Sequence, residues 1–269
     1  MVQTLRPLTI GELLDRTFFY YRRHFVLFVG IAALPSAFLL AVQLAMVFVK
    51  PTGGSFVTPV LSLLMAFVYL VTTTLAHGAT VVAVSQILLE RETNVAEAFN
   101  SIRPRIGELI IISINVGVRV LLGTMLLIVP GILLALRYSL AIPVAVLEEA
   151  GISESLSRST ALTKGHRGRI LLVYFLLFVL IIIGTMLWPF LTMLVAGLFS
   201  SAVRVGQSPV WMQVVLQFGS FVSESLLSPI MTIALTLVYY DERVRKEAFD
   251  LEHMMRQLDA AVLQPPHTA

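Results

Sequence analysis

Two arginines stand inside an otherwise aliphatic part of the chain. Arg119 and Arg137 both lie within residues 115–140, where almost every other residue is apolar. An arginine at the centre of a membrane helix costs about 2.5–3.5 kcal/mol on insertion scales, so such a side chain usually faces inward and has a partner. Glu224 is the predicted partner, because it is an acid well inside the last apolar stretch at a comparable depth. These charges predict either a structural ion-pair network or a polar cavity that prefers an anionic guest, since one positive charge is in excess.

Other polar side chains recur on single faces of the apolar stretches. In the last stretch, intervals of 4, 3, 4 and 4 residues predict one polar stripe, because side chains three and four residues apart share a helix face. That stripe comprises Gln213, Gln217, Ser220, Glu224 and Ser228. The candidate intramembrane polar site is Arg119, Arg137, Glu224, Asn115, His77 and Gln217. Hydroxyl and amide side chains of this kind also serve as interhelical contacts, so a purely structural role stays open. His77 by itself indicates a packed, hydrogen-bonded residue rather than a proton relay.

The residue types exclude several kinds of chemistry. The chain has no cysteine, which excludes disulfides, thiolate metal sites and cysteine nucleophiles. No second histidine lies at ligand spacing from His77, so we expect no metal site and no cofactor. No combination of nucleophile, base and acid emerges from the spacing either, and the sequence predicts no catalytic residues and no enzyme.

Composition predicts that the solvent of this protein is a lipid bilayer. Hydrophobic residues make up 57% of the 269 and charged residues only 13%, whereas a soluble domain carries about 25% charged residues. There is too little polar surface to cover a water-soluble globule. The predicted fold class is therefore an all-α integral membrane protein with no nucleic-acid partner.

Six apolar stretches approach or exceed the roughly 20 residues that cross a hydrocarbon core of about 30 Å. The predicted spans are residues 25–49, 57–89, 106–129, 132–147, 170–203 and 210–240, within a single membrane domain of residues 1–248. A cytoplasmic C-terminal helix is expected over 241–263, with Asp241 and Arg245 paired at i,i+4 spacing. Residues 264–269 are expected to be disordered.

The third and fourth spans allow an alternative. Residues 106–147 could form one long kinked helix, because proline is tolerated in membrane helices. Such a helix of about 42 residues would be about 63 Å long, roughly twice what the membrane requires. Pro130 and Gly131 are also a strong turn pair. We therefore expect two spans joined by a tight turn at Pro130–Gly131.

The distribution of basic residues predicts the orientation, since cytoplasmic segments retain lysine and arginine. With both termini in the cytoplasm, 15 of the 19 basic residues fall on the inner side. Lys50 and Arg204 fall on the outer side, and Arg119 and Arg137 are the remaining two. This partition predicts a multi-pass protein of a bacterial inner membrane. Anionic lipid headgroups are expected at the cytoplasmic face, with membrane or cytoplasmic proteins as further possible partners.

A short pattern occurs three times, in IGELLDR from Ile10, VAEAFNS from Val95 and ISESLSR from Ile152. Thr9 with Glu12, and Asn94 with Glu97, have the spacing of a capping box, whereas the third copy lacks one. Each copy precedes an outward-going span. The pattern predicts three units, each a cytoplasmic interfacial amphipathic helix followed by a membrane hairpin. Chance recurrence of capped, glutamate-containing helices is the alternative.

Three blocks of the chain resemble one family. They are RPLTIGELLDRTFFYYRRHF from Arg6, the stretch from PGILLALRYSL at Pro130 to KGHRGRI at Ile170, and LVYYDERVRKEAFDLE from Leu237. The chain resembles, along nearly its whole length, the bacterial integral membrane proteins named for the membrane domain of glycerophosphoryl diester phosphodiesterase. The most specific residues are Pro130, Gly131, Arg137, Pro143, Glu148, Ser159, Lys164 and Gly165. The resemblance implies six spans with the N-terminus inside, often encoded without the enzyme domain, and implies no particular reaction.

The tripeptide His166-Arg167-Gly168 matches a motif of the phosphodiesterase barrels, but that chemistry also needs acidic metal ligands on a barrel of roughly 250 residues. Here the tripeptide is interpreted as basic flanking sequence of the fifth span.

The sequence leaves three functions, in order of preference. The first is a non-catalytic membrane module that organises lipids or partners. The second is a transporter or lipid-handling protein with an anion-preferring intramembrane site, and the third is a phosphodiesterase.

Overall fold

The computed structural model describes residues 8–49, 57–199 and 209–262, and within these ranges the chain is helical with no strand. The described helices are α1 Ile10–Arg23, α2 Phe25–Val49, α3 Val57–Leu88, α4 Val95–Ile102, α5 Ile106–Leu126, α6 Ile128–Tyr138, α7 Ala141–Leu147, α8 Ile152–Thr163, α9 Arg167–Phe199 and α10 Val210–Val262. One turn of 3-10 helix, Arg103–Arg105, joins α4 to α5. The predicted all-α fold is confirmed.

Six segments of the described residues are long and apolar enough to cross a membrane, as predicted. They are Phe25–Val47, Thr58–Leu88, Val95–Leu126, Ile128–Leu147, Arg167–Leu198 and Val210–Glu247. The helix expected over 241–263 is the direct continuation of α10, which runs without a break to Val262. Lys50, Arg204, residues 200–203 of the fifth span, Leu263 and the tail 264–269 lie outside the described residues.

The predicted turn at Pro130–Gly131 is wrong, because the break between the third and fourth spans lies at Leu127. Leu127 has extended backbone angles, φ −164° and ψ 151°, and α6 begins at the next residue. Pro130 lies in the first turn of α6, where a missing N–H costs little. Gly131 is needed for close helix packing, because a Cβ there would lie 2.1 Å from Thr124 Oγ1 and 2.9 Å from Thr124 Cα. The break between the two helices therefore falls three residues earlier than the sequence predicts.

Buried residues concentrate in one half of the molecule. We call this half the packed end; it contains α1, α4, α7, α8, residues 79–88 of α3 and residues 225–242 of α10. The other half is the open end, where α2 ends, α3 begins, α9 ends and α10 begins. Large apolar side chains there are exposed, for example Leu63, Leu121, Ile183 and Trp211. Because apolar surface of this extent is stable only in contact with lipid or protein, the open end provides the lipid-facing surface.

The first of the three repeated helices lies lengthwise against α10. At one end of α1 the Leu8 N–H donates to Asp241 Oδ1 at 2.6 Å, and at the other the Tyr21 hydroxyl donates to the Leu226 carbonyl at 2.7 Å. Asp241 and Leu226 are separated by about 22 Å of helix. Residues 226–240, which form the C-terminal half of the predicted sixth span, are therefore largely covered by protein.

The local signals of the repeat are present in the structure. Thr9 and Glu12 form a reciprocal capping box at α1, and Asn94 and Glu97 form one at α4. The helix α8 begins after Gly151 with no side-chain cap, so the capping box is absent from the third copy as predicted. The three copies are thus helices in the predicted places.

Candidate functional site

A polar cavity of about 590 Å³ lies between α2, α3, α9 and α10, where the packed end meets the open end. Its polar lining residues are Ser36, Tyr69, Thr72, Thr73, His77, Thr185, Ser220, Ser223, Glu224 and Ser228. Glu224 is 14 residues beyond the start of α10 at Val210, which places it about 21 Å along the helix and within the candidate span Val210–Glu247. The polar cavity therefore lies between helices that are long and apolar enough to cross a membrane.

Helical periodicity explains how these side chains converge. Ser220, Glu224 and Ser228 follow one another at four-residue intervals on α10, and Thr73 and His77 do the same on α3. The stripe on α10 was predicted from the sequence. The structure brings these two faces together with Ser36 of α2.

Three prolines lie in the helices around the cavity. Pro35 of α2 precedes Ser36, Pro189 of α9 lines the cavity, and Pro229 of α10 follows Ser228. Proline inside a helix removes one backbone hydrogen bond and clashes with the carbonyl four residues earlier. The three prolines each remove a backbone hydrogen bond next to the cavity. The resulting distortion of three adjacent helices explains why they enclose a cavity here rather than packing tightly.

Among the described residues, the cavity lining includes one carboxyl group, that of Glu224, and no lysine or arginine. Tyr69 of α3 and Glu224 of α10 both line this cavity, and their hydroxyl and carboxyl groups interact across it. His77 lies on the same wall as Tyr69, one turn beyond Thr73. With hydroxyls, an imidazole and a carboxyl, this lining suits a hydroxyl-bearing or cationic guest, because an anion would lack a positive partner and face Glu224.

An apolar groove adjoins the polar cavity. It encloses about 410 Å³ and is lined by Leu34, Pro35, Phe38, Phe67, Val68, Val71, Thr72, Leu75 and Phe99. Thr72 lines both spaces, and Pro35 in the groove is followed directly by Ser36 in the cavity. Leu34, Phe38 and Phe67 are exposed, so the groove opens to the lipid-facing surface. A polar and an apolar space thus meet between α2 and α3.

The six candidate residues fall into separate groups. Glu224 and His77 line the cavity together. Gln217 is half-buried on α10 but outside the lining, and Asn115 is half-buried on α5, which contributes no residue to the cavity. The predicted ion pair between Arg119 and Glu224 is wrong, because no such pair exists between these two described side chains.

Arg119 and Arg137 instead flank Tyr138. Arg119 Nη1 donates to the Tyr138 hydroxyl at 2.8 Å, and its guanidinium carbon lies 5.2 Å from the ring centroid. The Arg137 guanidinium carbon lies 5.6 Å from the same centroid, and Arg137 Nε donates to Thr160 Oγ1 at 3.1 Å. Both side chains are exposed. The positive charges of both arginines are thus compensated by cation–π contacts and by hydrogen bonds to hydroxyl groups, and not by a carboxylate.

A buried ion cluster, which the sequence did not predict, ties the packed end together. The side chains of Asp241 and Glu242 are fully buried, and both pair with Arg169. Arg245 pairs with Asp241 at 2.9 Å, as its i,i+4 spacing predicts, and His166 Nδ1 lies 2.6 Å from Glu242. We call these five residues the clasp. It joins the start of α9 to α10 and also binds Leu8 ahead of α1, through its N–H and its carbonyl.

A second ion-pair group lies beside the clasp. Arg158 of α8 pairs with Glu148 at 3.1 Å and with Glu247, and Tyr239 donates to Glu148 at 2.8 Å. Burial by itself would lower the pKa of the Arg158 guanidinium, but hydrogen bonds and charge from Glu247 and Glu148 raise it above its ordinary value. This group fixes α8 against α10. Because each of its charges is paired with another member of the group, we interpret it as a structural contact between helices.

Sequence reasoning missed several lining residues, above all Tyr69, Thr185 and Ser223. Thr185 could have been found, because it stands four residues before Pro189, whose position deprives the Thr185 carbonyl of its helical donor. Tyr69 stands four residues before Thr73, on the face of α3 that carries Thr73 and His77, so its position could also have been found. Its role still depends on the approach of α10, which the sequence does not reveal.

Comparison with known proteins gives one match. The family model described as the membrane domain of glycerophosphoryl diester phosphodiesterase matches residues 110–263, more than half of the chain. Two of the three blocks that carry the resemblance lie in this range, and the block from Arg6 lies outside it. No curated protein and no solved structure matches the chain.

Proposed function

The chain belongs to the family of the membrane domain of glycerophosphoryl diester phosphodiesterase, and from this premise we propose that it is a non-catalytic, lipid-handling membrane protein. Its ligand is an amphiphile whose headgroup occupies the polar cavity. The observation that carries the proposal is the meeting of that cavity with the apolar groove at Thr72. An amphiphile likewise has a polar headgroup joined to an apolar chain.

The lining favours a hydroxyl-bearing headgroup that carries no negative charge, and of such headgroups we propose an uncharged one. An acyl chain in the groove would contact Leu34, Phe38 and Phe67, and each buried CH₂ contributes about 0.8 kcal/mol. Glycerol hydroxyls in the cavity would hydrogen-bond to Glu224 and to the surrounding serine and threonine hydroxyls. An anionic guest, expected from the arginines, is disfavoured because neither arginine lines the cavity. Diacylglycerol is the simplest lipid with the required chemistry.

Native mass spectrometry of the purified protein tests this proposal. Released from phosphatidylcholine nanodiscs doped with dioleoylglycerol, the protein should retain diacylglycerol. Ser223→Leu, which fills the cavity, should lose it, whereas Val222→Leu, on the exposed face of the same turn, should not. Equal retention by both variants, or no diacylglycerol on the wild type, contradicts the proposal. In the latter case a module that only organises protein partners becomes the better explanation.

The non-catalytic part of the proposal has its own test. We expect incubation of the reconstituted protein with glycerophosphocholine to release no choline and no glycerol 3-phosphate. Release that depends on His166 or Arg167 would overturn this part and favour the phosphodiesterase alternative.

We also propose that the packed end faces the cytoplasm of a bacterial inner membrane, with both termini inside. The spans then form three hairpins, each preceded by one of the helices α1, α4 and α8 at the membrane interface. The support is electrostatic: in this orientation basic residues at the packed end lie beside the anionic headgroups of the inner leaflet.

Cysteine labelling tests this orientation. Because the chain has no cysteine, single introduced cysteines report the topology directly. In intact cells an impermeant maleimide should label Gly53→Cys and not Thr93→Cys, and the reverse pattern would refute this orientation.

A further inference from the structure

The segment from Lys164 to Arg169, between the end of α8 and the first turn of α9, orients its basic side chains in two directions. His166 and Arg169 turn toward α10 and pair with Glu242 and Asp241. Lys164 and Arg167 form no ion pair with any acid in the described part of the chain. Gly165, with φ +94°, occupies the left-handed region that favours glycine, and so permits this division.

The two unpaired cations line a surface pocket of about 530 Å³. Its lining residues are Arg137, Thr160, Lys164, Gly165, Arg167 and Gly168. Arg137 is oriented by its hydrogen bond to Thr160. Arg167 Nε is buried and has no hydrogen-bond partner among the described residues, a state that is unfavourable unless a ligand supplies an acceptor. Three cations around one pocket, one of them with an unsatisfied donor, form a site for an anion.

Two features of the backbone add to this preference. The helix α9 begins at Arg167, so unpaired N–H groups and the positive end of its dipole lie at the pocket. A Cβ placed on Gly165 or Gly168 would meet nothing within 4 Å, so a ligand can approach the backbone there. Phosphate groups bind in this way at helix N-termini.

Apolar surface continues from the pocket into the lipid-facing part of the molecule. On α9 the residues one and two turns beyond the pocket, Leu171, Leu172 and Phe175, are exposed. On α6 Leu133, one turn from Arg137, is also exposed. Side chains one turn apart share a helix face, so these residues lie along the membrane side of the pocket. The ligand thus meets cations at one end and apolar surface at the other.

We propose that this pocket binds the phosphate of an anionic phospholipid, whose acyl chains lie along α6 and α9. Arg119 reinforces the site, because it shares the Tyr138 ring with Arg137 and adds a fourth unpaired cation. The site is separate from the cavity around Glu224 and does not depend on the function proposed for that cavity. It also gives the two membrane arginines a role.

Lipid binding to the intact protein in phosphatidylcholine nanodiscs tests the proposal, with phosphatidylglycerol as the probe. Removing two charged hydrogen-bond donors by Lys164→Gln with Arg167→Gln should weaken phosphatidylglycerol binding about tenfold or more. The control, Arg22→Gln with Arg91→Gln, removes the same charge from exposed positions at the packed end and should change binding little. Lys164→Gln alone, at an exposed side chain, gives a weaker version of the effect if the double variant does not fold.

Soluble probes distinguish the source of the phosphate. Inorganic phosphate and glycerol 3-phosphate should neither compete with the lipid nor raise the melting temperature, because the apolar part of the site would stay empty. Competition by free phosphate would overturn the lipid assignment and indicate a soluble ligand. Equal loss of binding in the pocket variant and the control variant would show that binding depends only on general surface charge. That result would contradict the proposed site.

Discussion

The carboxylate of Asp241 connects three separate parts of the chain. It accepts hydrogen bonds from the Leu8 N–H at 2.6 Å, from Arg245 Nε at 2.9 Å and from Arg169. Its side chain is fully buried, and those of Arg169 and Arg245 are only 17% and 25% exposed. Breaking a buried pair by removing one partner costs about 3–5 kcal/mol, because an uncompensated charge stays buried.

At this residue scale we predict that Asp241→Asn lowers the free energy of unfolding by about 3 kcal/mol, since two guanidiniums lose their counter-charge. Thermal unfolding in detergent, followed by helical circular dichroism, would measure the loss. Glu247→Gln is the matched control, because its side chain is 44% exposed and such pairs contribute about 1 kcal/mol or less. Equal shifts in the two variants would show that the clasp has no special role.

At the scale of elements, two glycines and Thr124 allow a close approach of α5 and α6. Gly123 and Gly131 face each other across the break at Leu127, and a Cβ on Gly123 would lie 3.2 Å from the Gly131 backbone. The Ser159 hydroxyl then donates to the Arg137 carbonyl and holds α8 against the end of α6. Several of the residues most specific to the family thus share a packing role in this region.

We predict that Gly131→Ala destabilises the protein by about 1–3 kcal/mol, because the new Cβ meets Thr124 backbone that cannot move without separating the helices. Gly117→Ala, on the exposed face of α5 with open space around it, should be neutral or stabilise by up to about 1 kcal/mol. Melting temperatures of the two variants, measured side by side, should move in different directions. A neutral Gly131→Ala would mean that α5 and α6 are not in close contact.

At the scale of the whole molecule, the packed and open ends differ in what surrounds them. Residues 225–242 of α10 lie mostly among other helices, whereas residues 210–222 of the same helix present Trp211, Phe218 and Val222 outward. The single long helix therefore passes from lipid into protein near Glu224. The polar cavity lies at this transition, where helix separation first leaves room for it.

The two tryptophans of the chain report on this arrangement. Trp211 lies one residue after the start of α10, and Trp188 lies 11 residues, or about 16 Å, before the end of α9. We predict that lipids brominated near the headgroup quench the fluorescence of Trp211 more strongly, and lipids brominated deep in the acyl chain quench that of Trp188. Trp188→Phe and Trp211→Phe variants separate the two signals. Quenching of neither indole would place the open end outside the bilayer.

The sequence by itself determined the solvent, the helical class and the number of spans. Length and apolar composition are enough for this, because a bilayer accepts only helices of about 20 apolar residues or closed barrels. Capping boxes at Thr9 and Asn94 were readable because their partners lie three residues away in the chain. The polar stripe on α10 could be predicted for the same reason, because residues that share a helix face are only three or four positions apart in the chain.

Only the tertiary structure decided which polar faces meet. Arg119 pairs with Tyr138 and not with Glu224 because the break falls at Leu127, three residues before the predicted turn, and sets the two arginines around one ring. Glu224 faces Tyr69 because α10 lies against α3, and the buried clasp depends on residues more than 70 positions apart. Charge and depth can be counted along a chain, but the partner of a buried charge is fixed by the angle and register at which helices pack.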